Sequence, residues 1–398
     1  MSRPEDNEKQ AVVAERIFDG SRWHARAAVL IEGCRVCAIA AVDEIPLGCQ
    51  IRGLPAGAFV TPGFVDLQVN GGGGILFNDD PTPDALRGIA RAHRRFGTTA
   101  LLPTLITDTR EKMRLAITAA CAVVGHDGVL GLHLEGPFIN TARAGVHDRA
   151  HVVPAEMADL ELLRELGQAG RSLITLAPEC VPVGFIRGLV DAGIRVSAGH
   201  SEASADIVLR AIEEGMTGVT HLFNAMPAFQ GRAPGVVGAA LAERRLVAGL
   251  IVDGIHVDPV SVRAAFAAKG SEGIALVTDA MPTVGAEARE FSLMGRPVSL
   301  RNGRIETAEG TLAGAHLDMA SAVRNAVTLC GIPLDDALRA ASQTPARFLG
   351  LEGERGALVR GARADLVALD ADLRVVACWA EGVEEDELAG VPDQASGA

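Results

Sequence analysis

Short apolar runs alternate with helix-spaced segments along the middle of this chain. The runs cover residues 64–69, 98–105, 129–135, 173–178, 194–199, 218–222, 248–252 and 274–279. Between them stand stretches such as PDALRGIARAHRRFG, REKMRLAITAACAVV, MADLELLRELGQAG, ADIVLRAIEEG and VSVRAAFAAKG. Their apolar residues recur every three or four positions, the period of an amphipathic helix. Repeated strand-then-helix units predict a parallel sheet, because parallel neighbours need a crossover. Eight such units predict closure into a (β/α)8 TIM-like barrel over residues 61–345. An open doubly wound sheet is the alternative, and it requires a phosphate loop after the first strand. The GGGG at 71–74 lies there but matches neither nucleotide-binding spacing.

The two ends follow another pattern. Residues 11–60 and 351–380 read as short strands punctuated by glycine. Chain ends commonly lie near each other. The segments 1–60 and 346–398 are therefore predicted to combine into one small β-sandwich beside the barrel. The polar tails, about 1–10 and 385–398, are expected to fray.

Composition narrows the function classes. A chain of 398 residues, 48% hydrophobic and 22% charged, has ample material for a core. Its net charge of −13 argues against a nucleic-acid partner. No apolar run reaches the roughly 18 residues of a membrane span. The opening MSRPEDNEKQ is polar and acidic, unlike a signal peptide, so a cytoplasmic location is expected. Seven scattered cysteines do not suggest a disulfide framework. Cys34 and Cys37 form a C-x-x-C without a second pair, and read as reduced strand cysteines.

The chemistry stands at the ends of the apolar runs: Glu135 in LGLHLEGP, His200 in IRVSAGHS, His221 in GVTHLFNA and Asp279 in IALVTDA. A barrel gathers its strand ends at one mouth, so these four residues can converge. One carboxylate and two imidazoles, with a position left for water, match an open catalytic zinc site. Asp279 is then the candidate general acid/base. Gln68 and Asn70 share a face of the first run, where a two-metal hydrolase would offer H-x-H. Neutral amides are poor ligands, which argues for one metal. His133 shares a face with Glu135 and reads as packing or support rather than as a ligand. His147, Arg232 and His256 lie in loops and could clamp an anion; Arg232, like Arg143, could equally be a solvated surface residue.

Taken in order, TPGFVDLQVNGGGG, HLEGPFIN, GVHD, SAGHS, THLFNAMPAFQGRAPG, DGIHV, VTDAMP and TLAGA resemble the N-acetylglucosamine-6-phosphate deacetylases, a family of the amidohydrolase superfamily. The closing QTPARFLGL and GALVRGARADLVALD are similar to the superfamily's C-terminal segment, and the resemblance covers about residues 12–380. It implies release of acetate from the 2-acetamido group of N-acetyl-D-glucosamine 6-phosphate. It implies one divalent metal per subunit on Glu135, His200 and His221, with Zn²⁺ favoured and Fe²⁺, Co²⁺ or Mn²⁺ as substitutes. Asp279 would be the acid/base, His147 would lie near the acetamido carbonyl or sugar, and Arg232 and His256 would bind phosphate. Asn224, Ala225, Leu312, Ala313 and Gly314 would line the sugar pocket. A homodimer is implied, with a group from the neighbouring chain as a candidate for the phosphate site. Two positions depart from the family pattern: Ala315 replaces a serine and Arg143 a lysine. The competing readings are an amidohydrolase for N-acetylgalactosamine 6-phosphate or another N-acyl substrate, and a non-catalytic sugar-phosphate-binding protein.

Overall fold

The computed structural model describes residues 9–385. Eight parallel strands run in sequential spatial order: Phe64–Val69, Thr98–Ile106, His133–Glu135, Leu173–Leu176, Arg195–Ala198, Gly218–Val219, Val247–Leu250 and Ile274–Leu276. Each falls within, or within one residue of, a predicted apolar run. Sequential order is that of a barrel and not of a doubly wound sheet, whose order reverses at a switch point. Every residue of Thr98–Ile106 is buried. This is why such strands read as continuous apolar runs: helices cover one face and barrel side chains fill the other.

The first and eighth strands meet at a seam just beyond the ladders. The Asp279 N–H donates to Gln68 O at 3.0 Å, and the Asn70 N–H donates to Ala280 O at 2.9 Å. Below these, the Thr278 hydroxyl donates to Asp66 Oδ2 at 2.6 Å. Burial raises the Asp66 carboxyl to about 7 against the lowering effect of the Thr278 and Gln68 hydrogen bonds.

Helices begin where the sequence supplies caps. Thr82 accepts from the Ala85 N–H ahead of Pro83–Arg94, Thr109 from the Lys112 N–H ahead of Arg110–Val123, and Asp258 from the Val260 N–H ahead of Pro259–Lys269. Pro83 and Pro259 occupy the first turn, where no backbone donor is lost.

The two ends combine in one hydrogen-bonded sheet of eight strands, a small β-domain beside the barrel. Phe59–Pro62 from the N-terminal part pairs antiparallel with Leu366–Leu369 from the C-terminal part. Val12, Ile17, Val29, Leu366 and Trp379 belong to a separate small core. Lys9 and Gln10 already lie in strand Lys9–Phe18, and Glu385 pairs with Arg94 at 3.2 Å. Those three were assigned to fraying tails but are ordered; the rest of that expectation concerns residues outside the described range.

One element escapes the strand-and-helix reading. After the eighth strand, Glu290–Leu293, Arg296–Arg301 and Arg304–Thr307 form an antiparallel sheet of three strands. Its turns, Met294-Gly295 and Asn302-Gly303, all have positive φ, the backbone of two-residue hairpin loops.

Candidate active site

Glu135 is the last residue of the third strand, and His200, His221 and Asp279 lie just past the ends of the fifth, sixth and eighth. His200, His221 and Asp279 have φ of 49°, 32° and 51°. Left-handed backbone at such residues costs about 1–3 kcal/mol and persists only where the surroundings enforce it. Here a loop and a neighbouring strand do so. His200 O accepts from the Asn140 N–H at 2.9 Å, and the Leu222 N–H beside His221 donates to Gly249 O at 2.8 Å. Gly199 has no room for a side chain, since a Cβ there would lie 2.5 Å from Thr175 Cγ2.

Three side chains meet at one point. Glu135 Oε1 lies 3.2 Å from His200 Nε2 and 2.9 Å from His221 Nε2, and the two ring nitrogens are 3.0 Å apart. All three residues are buried. Each ring's donor pattern bears on what the point can hold. His200 Nδ1 donates to Arg143 O at 2.7 Å, so its Nε2 is free to present a lone pair. His221 Nδ1 is buried without a partner. Burial alone would raise the Glu135 carboxyl, yet the two histidine rings beside it outweigh burial and hold it well below the usual range. A buried anionic oxygen and two imidazole nitrogens aimed at one another make a donor set suited to a divalent cation. Among the described residues no other group of this kind is present. Cys34 and Cys37 are free thiols.

Gln68 stands between the two carboxylates. Its Nε2 donates to Glu135 Oε1 and Oε2, each at 3.1 Å, and to Asp279 Oδ1 at 3.1 Å. Asn70 Nδ2 donates to the same Asp279 oxygen at 2.7 Å. Burial and the nearby Glu135 charge raise the Asp279 carboxyl to about 6, against the lowering effects of His221, Asn70 and His256. Both amide bonds land on Oδ1, which leaves Oδ2 to exchange a proton. The predicted pair of amides thus has a definite place in the structure, holding the two carboxylates.

These groups form the floor of a cavity of about 390 Å³. Glu135, His200, His221 and Asp279 line it together with His147, Asn224, Ala225, His256, Leu312 and Gly314. Two expected site residues stand apart. Arg232 is exposed on its loop and outside the lining. Ala313 is fully buried in an apolar cluster with Leu293 and Val298. Leu312 and Gly314 face the cavity while Ala313, between them, is turned into the core, and Gly314 bends the chain with a φ of 68°. Arg143 lines the cavity and its guanidinium is paired with Glu202. His133 does not line it; it sits between Thr104 and Thr175, at 3.3 and 2.7 Å, as a packed interior residue.

Thr107 went unnoticed in the sequence. Its hydroxyl donates to Glu135 O at 3.3 Å and lies 2.8 Å from His147 Nδ1. With that proton committed, Thr107 accepts from the His147 ring, and His147 Nε2 becomes an acceptor facing the cavity. Burial pushes the His147 imidazole down to about 3, so it stays neutral. Glu179 was also missed. It accepts from Asn140 Nδ2 at 3.0 Å, Ser201 Oγ at 2.7 Å and the Glu202 N–H at 2.6 Å, tying the loops around His200 together. The signal available was its position: a carboxylate just past the fourth apolar run, like the other four.

The model of the amidohydrolase family matches residues 59–394. The chain belongs to the amidohydrolase family. This amidohydrolase is 45% identical to the N-acetylgalactosamine-6-phosphate deacetylase of Shewanella sp. (strain ANA-3), over 83% of each chain. It is 34% identical to the N-acetylglucosamine-6-phosphate deacetylase of Haemophilus influenzae, over 89% of this chain and 93% of that one. Among solved structures, N-acetylglucosamine-6-phosphate deacetylase from Pasteurella multocida superposes with a TM-score of 0.91 at 35% identity, covering 95% of this chain and 99% of that one. Among the described residues no helix is long and apolar enough to cross a membrane.

Proposed function

We propose that this amidohydrolase cleaves the acetamido group of N-acetyl-D-glucosamine 6-phosphate, giving D-glucosamine 6-phosphate and acetate. The observation that carries the reading is the convergence of Glu135, His200 and His221 beside Asp279 on the cavity floor. One divalent cation per subunit, Zn²⁺ by its preference for this donor set, would be held by those three residues. Bound there, it would polarise the amide carbonyl and make water a stronger nucleophile at neutral pH. Asp279 accepts the water proton as attack forms the tetrahedral intermediate. It then returns that proton to the departing sugar nitrogen, and acetate leaves. Gln68 and Asn70 keep Asp279 Oδ1 occupied, so one oxygen serves both transfers. His147 Nε2 accepts a hydrogen bond from a sugar hydroxyl or the amide N–H. Asn224, Ala225, Leu312 and Gly314 flank the sugar, and His256 receives the phosphate. Arg232 joins that clamp only by loop movement or from a second subunit, in keeping with a homodimer. A cytoplasmic setting suits a sugar-phosphate substrate.

A second reading has its own support. The Shewanella relative at 45% identity acts, by its name, on the galactosamine epimer. The two substrates differ at the C4 hydroxyl, and the machinery for amide cleavage is common to both. Acetate release measured side by side on the two phosphorylated sugars decides between them: the preferred epimer shows the higher kcat/KM. A complete ligand set with an adjacent acid/base speaks against a silent binding protein.

A further inference from the structure

Between the seventh barrel strand and helix Pro259–Lys269 the chain reads Ile251, Val252, Asp253, Gly254, Ile255, His256. Asp253 organises this segment. Its Oδ1 accepts from the Ile255 and His256 N–H groups, each at 2.8 Å, and its Oδ2 lies 2.6 Å from His256 Nδ1. The two side chains are only 7% and 8% exposed. The segment is pinned from outside as well, since Asn325 Nδ2 donates to Val252 O at 2.9 Å.

His256 lines the active-site cavity. With Nδ1 donating to Asp253, Nε2 is the nitrogen left for a ligand. A neutral ring in that tautomer offers a lone pair, which repels a phosphate oxygen; a charged ring offers an N–H, which binds one. A buried carboxylate on the far nitrogen fixes the plane of the ring. The other charged groups lining the cavity are Arg143, already paired with Glu202, and the carboxylates Asp279 and Glu135.

We propose that Asp253 is a positioning residue for the anionic end of the substrate: it aims His256 Nε2 into the cavity and balances the charge that the ring carries when phosphate binds. The proposal rests on the reading that His256 receives the phosphate. The side chain thus acts through His256 and touches no reacting atom.

The test compares the metal-loaded wild type with Asp253→Asn, His256→Ala and the double variant. Each is assayed on the phosphorylated acetamido sugar and on the same sugar without phosphate. Asn at 253 can still accept the two backbone N–H groups, so the turn is kept; Asp253→Ser does the same if the Asn variant does not fold. The expected result for Asp253→Asn is a fall of about tenfold in the ratio of kcat/KM values, phosphorylated over unphosphorylated, seen mainly as a higher KM. The double variant should be no worse than His256→Ala alone. If His256→Ala lowers the ratio and Asp253→Asn does not, the role of Asp253 is refuted while the phosphate reading of His256 stands. An equal loss on both sugars in Asp253→Asn shows a merely structural residue and refutes the proposal. An equal loss on both in His256→Ala removes the phosphate reading itself, and the proposal with it.

Discussion

Asp279 concentrates most of the local chemistry. Its backbone is left-handed, its carbonyl accepts from the Ala315 N–H at 2.9 Å, and its Oδ1 is held by two amides. Asp279→Asn should lower kcat by about 10²–10⁴-fold, the usual worth of a positioned acid/base, while metal content by elemental analysis stays at the wild-type level. The same carboxyl sets an acid limb. Its pKa is raised to about 6, and it accepts a proton only when ionised, so kcat should fall as pH drops through that value. A bound cation favours the ionised form and moves the limb lower. A kcat–pH profile that is flat from pH 7 to 4 would contradict this. At this scale the sequence offered its candidates as polar residues ending apolar runs, and Glu179, placed in the same way, was passed over. It could not show Thr107 or Asp253, whose roles depend on a partner's ring nitrogen and not on their own spacing. Arg232 and Ala313 stand outside the cavity lining, the first on an exposed loop whose place no periodicity fixes, the second turned into an apolar cluster.

The barrel seam shows how elements place these groups. Ladder pairing does not join the first and eighth strands; side-chain and loop-edge bonds do, with Asp66 and Thr278 at their base. Thr278→Val removes a donor from a buried carboxyl and should destabilise the fold by about 1–3 kcal/mol, read from urea unfolding. An unchanged midpoint would show that the seam is held elsewhere. All eight strands were legible because burial on both faces makes short, unbroken apolar runs. Helix Gly235–Ala242 (GVVGAALA) was not, because it is apolar nearly all round and has no period to detect. The three-stranded sheet was hidden by mixed burial and short strands, although its Asn302-Gly303 turn is a strong hairpin signal.

Across the whole molecule, several buried imidazoles stay neutral. Burial pushes His93 down to about 4, against the raising effect of its bond to Gly71 O, and burial together with the Arg289 charge does the same for His316. Unfolded, each would bind a proton near its ordinary value of 6.5. Between those values the unfolded chain holds more protons, so stability falls as pH drops from 6.5 toward 4. Each group contributes at most about 1.4 kcal/mol per pH unit. His93→Gln should therefore narrow the difference in Tm between pH 7 and pH 5, and an unchanged difference would contradict the assignment.

We read the molecule as a single-cation deacetylase whose ion would sit on Glu135, His200 and His221. The most direct test measures acetate released from N-acetyl-D-glucosamine 6-phosphate and from its galactosamine epimer, with metal content determined on the same sample before and after chelation. The account predicts about one divalent ion per chain, release of acetate from at least one of the two sugars, and loss of that activity with the ion while the fold persists. Undiminished acetate release from the demetallated protein, or none from either sugar with the ion in place, would contradict it.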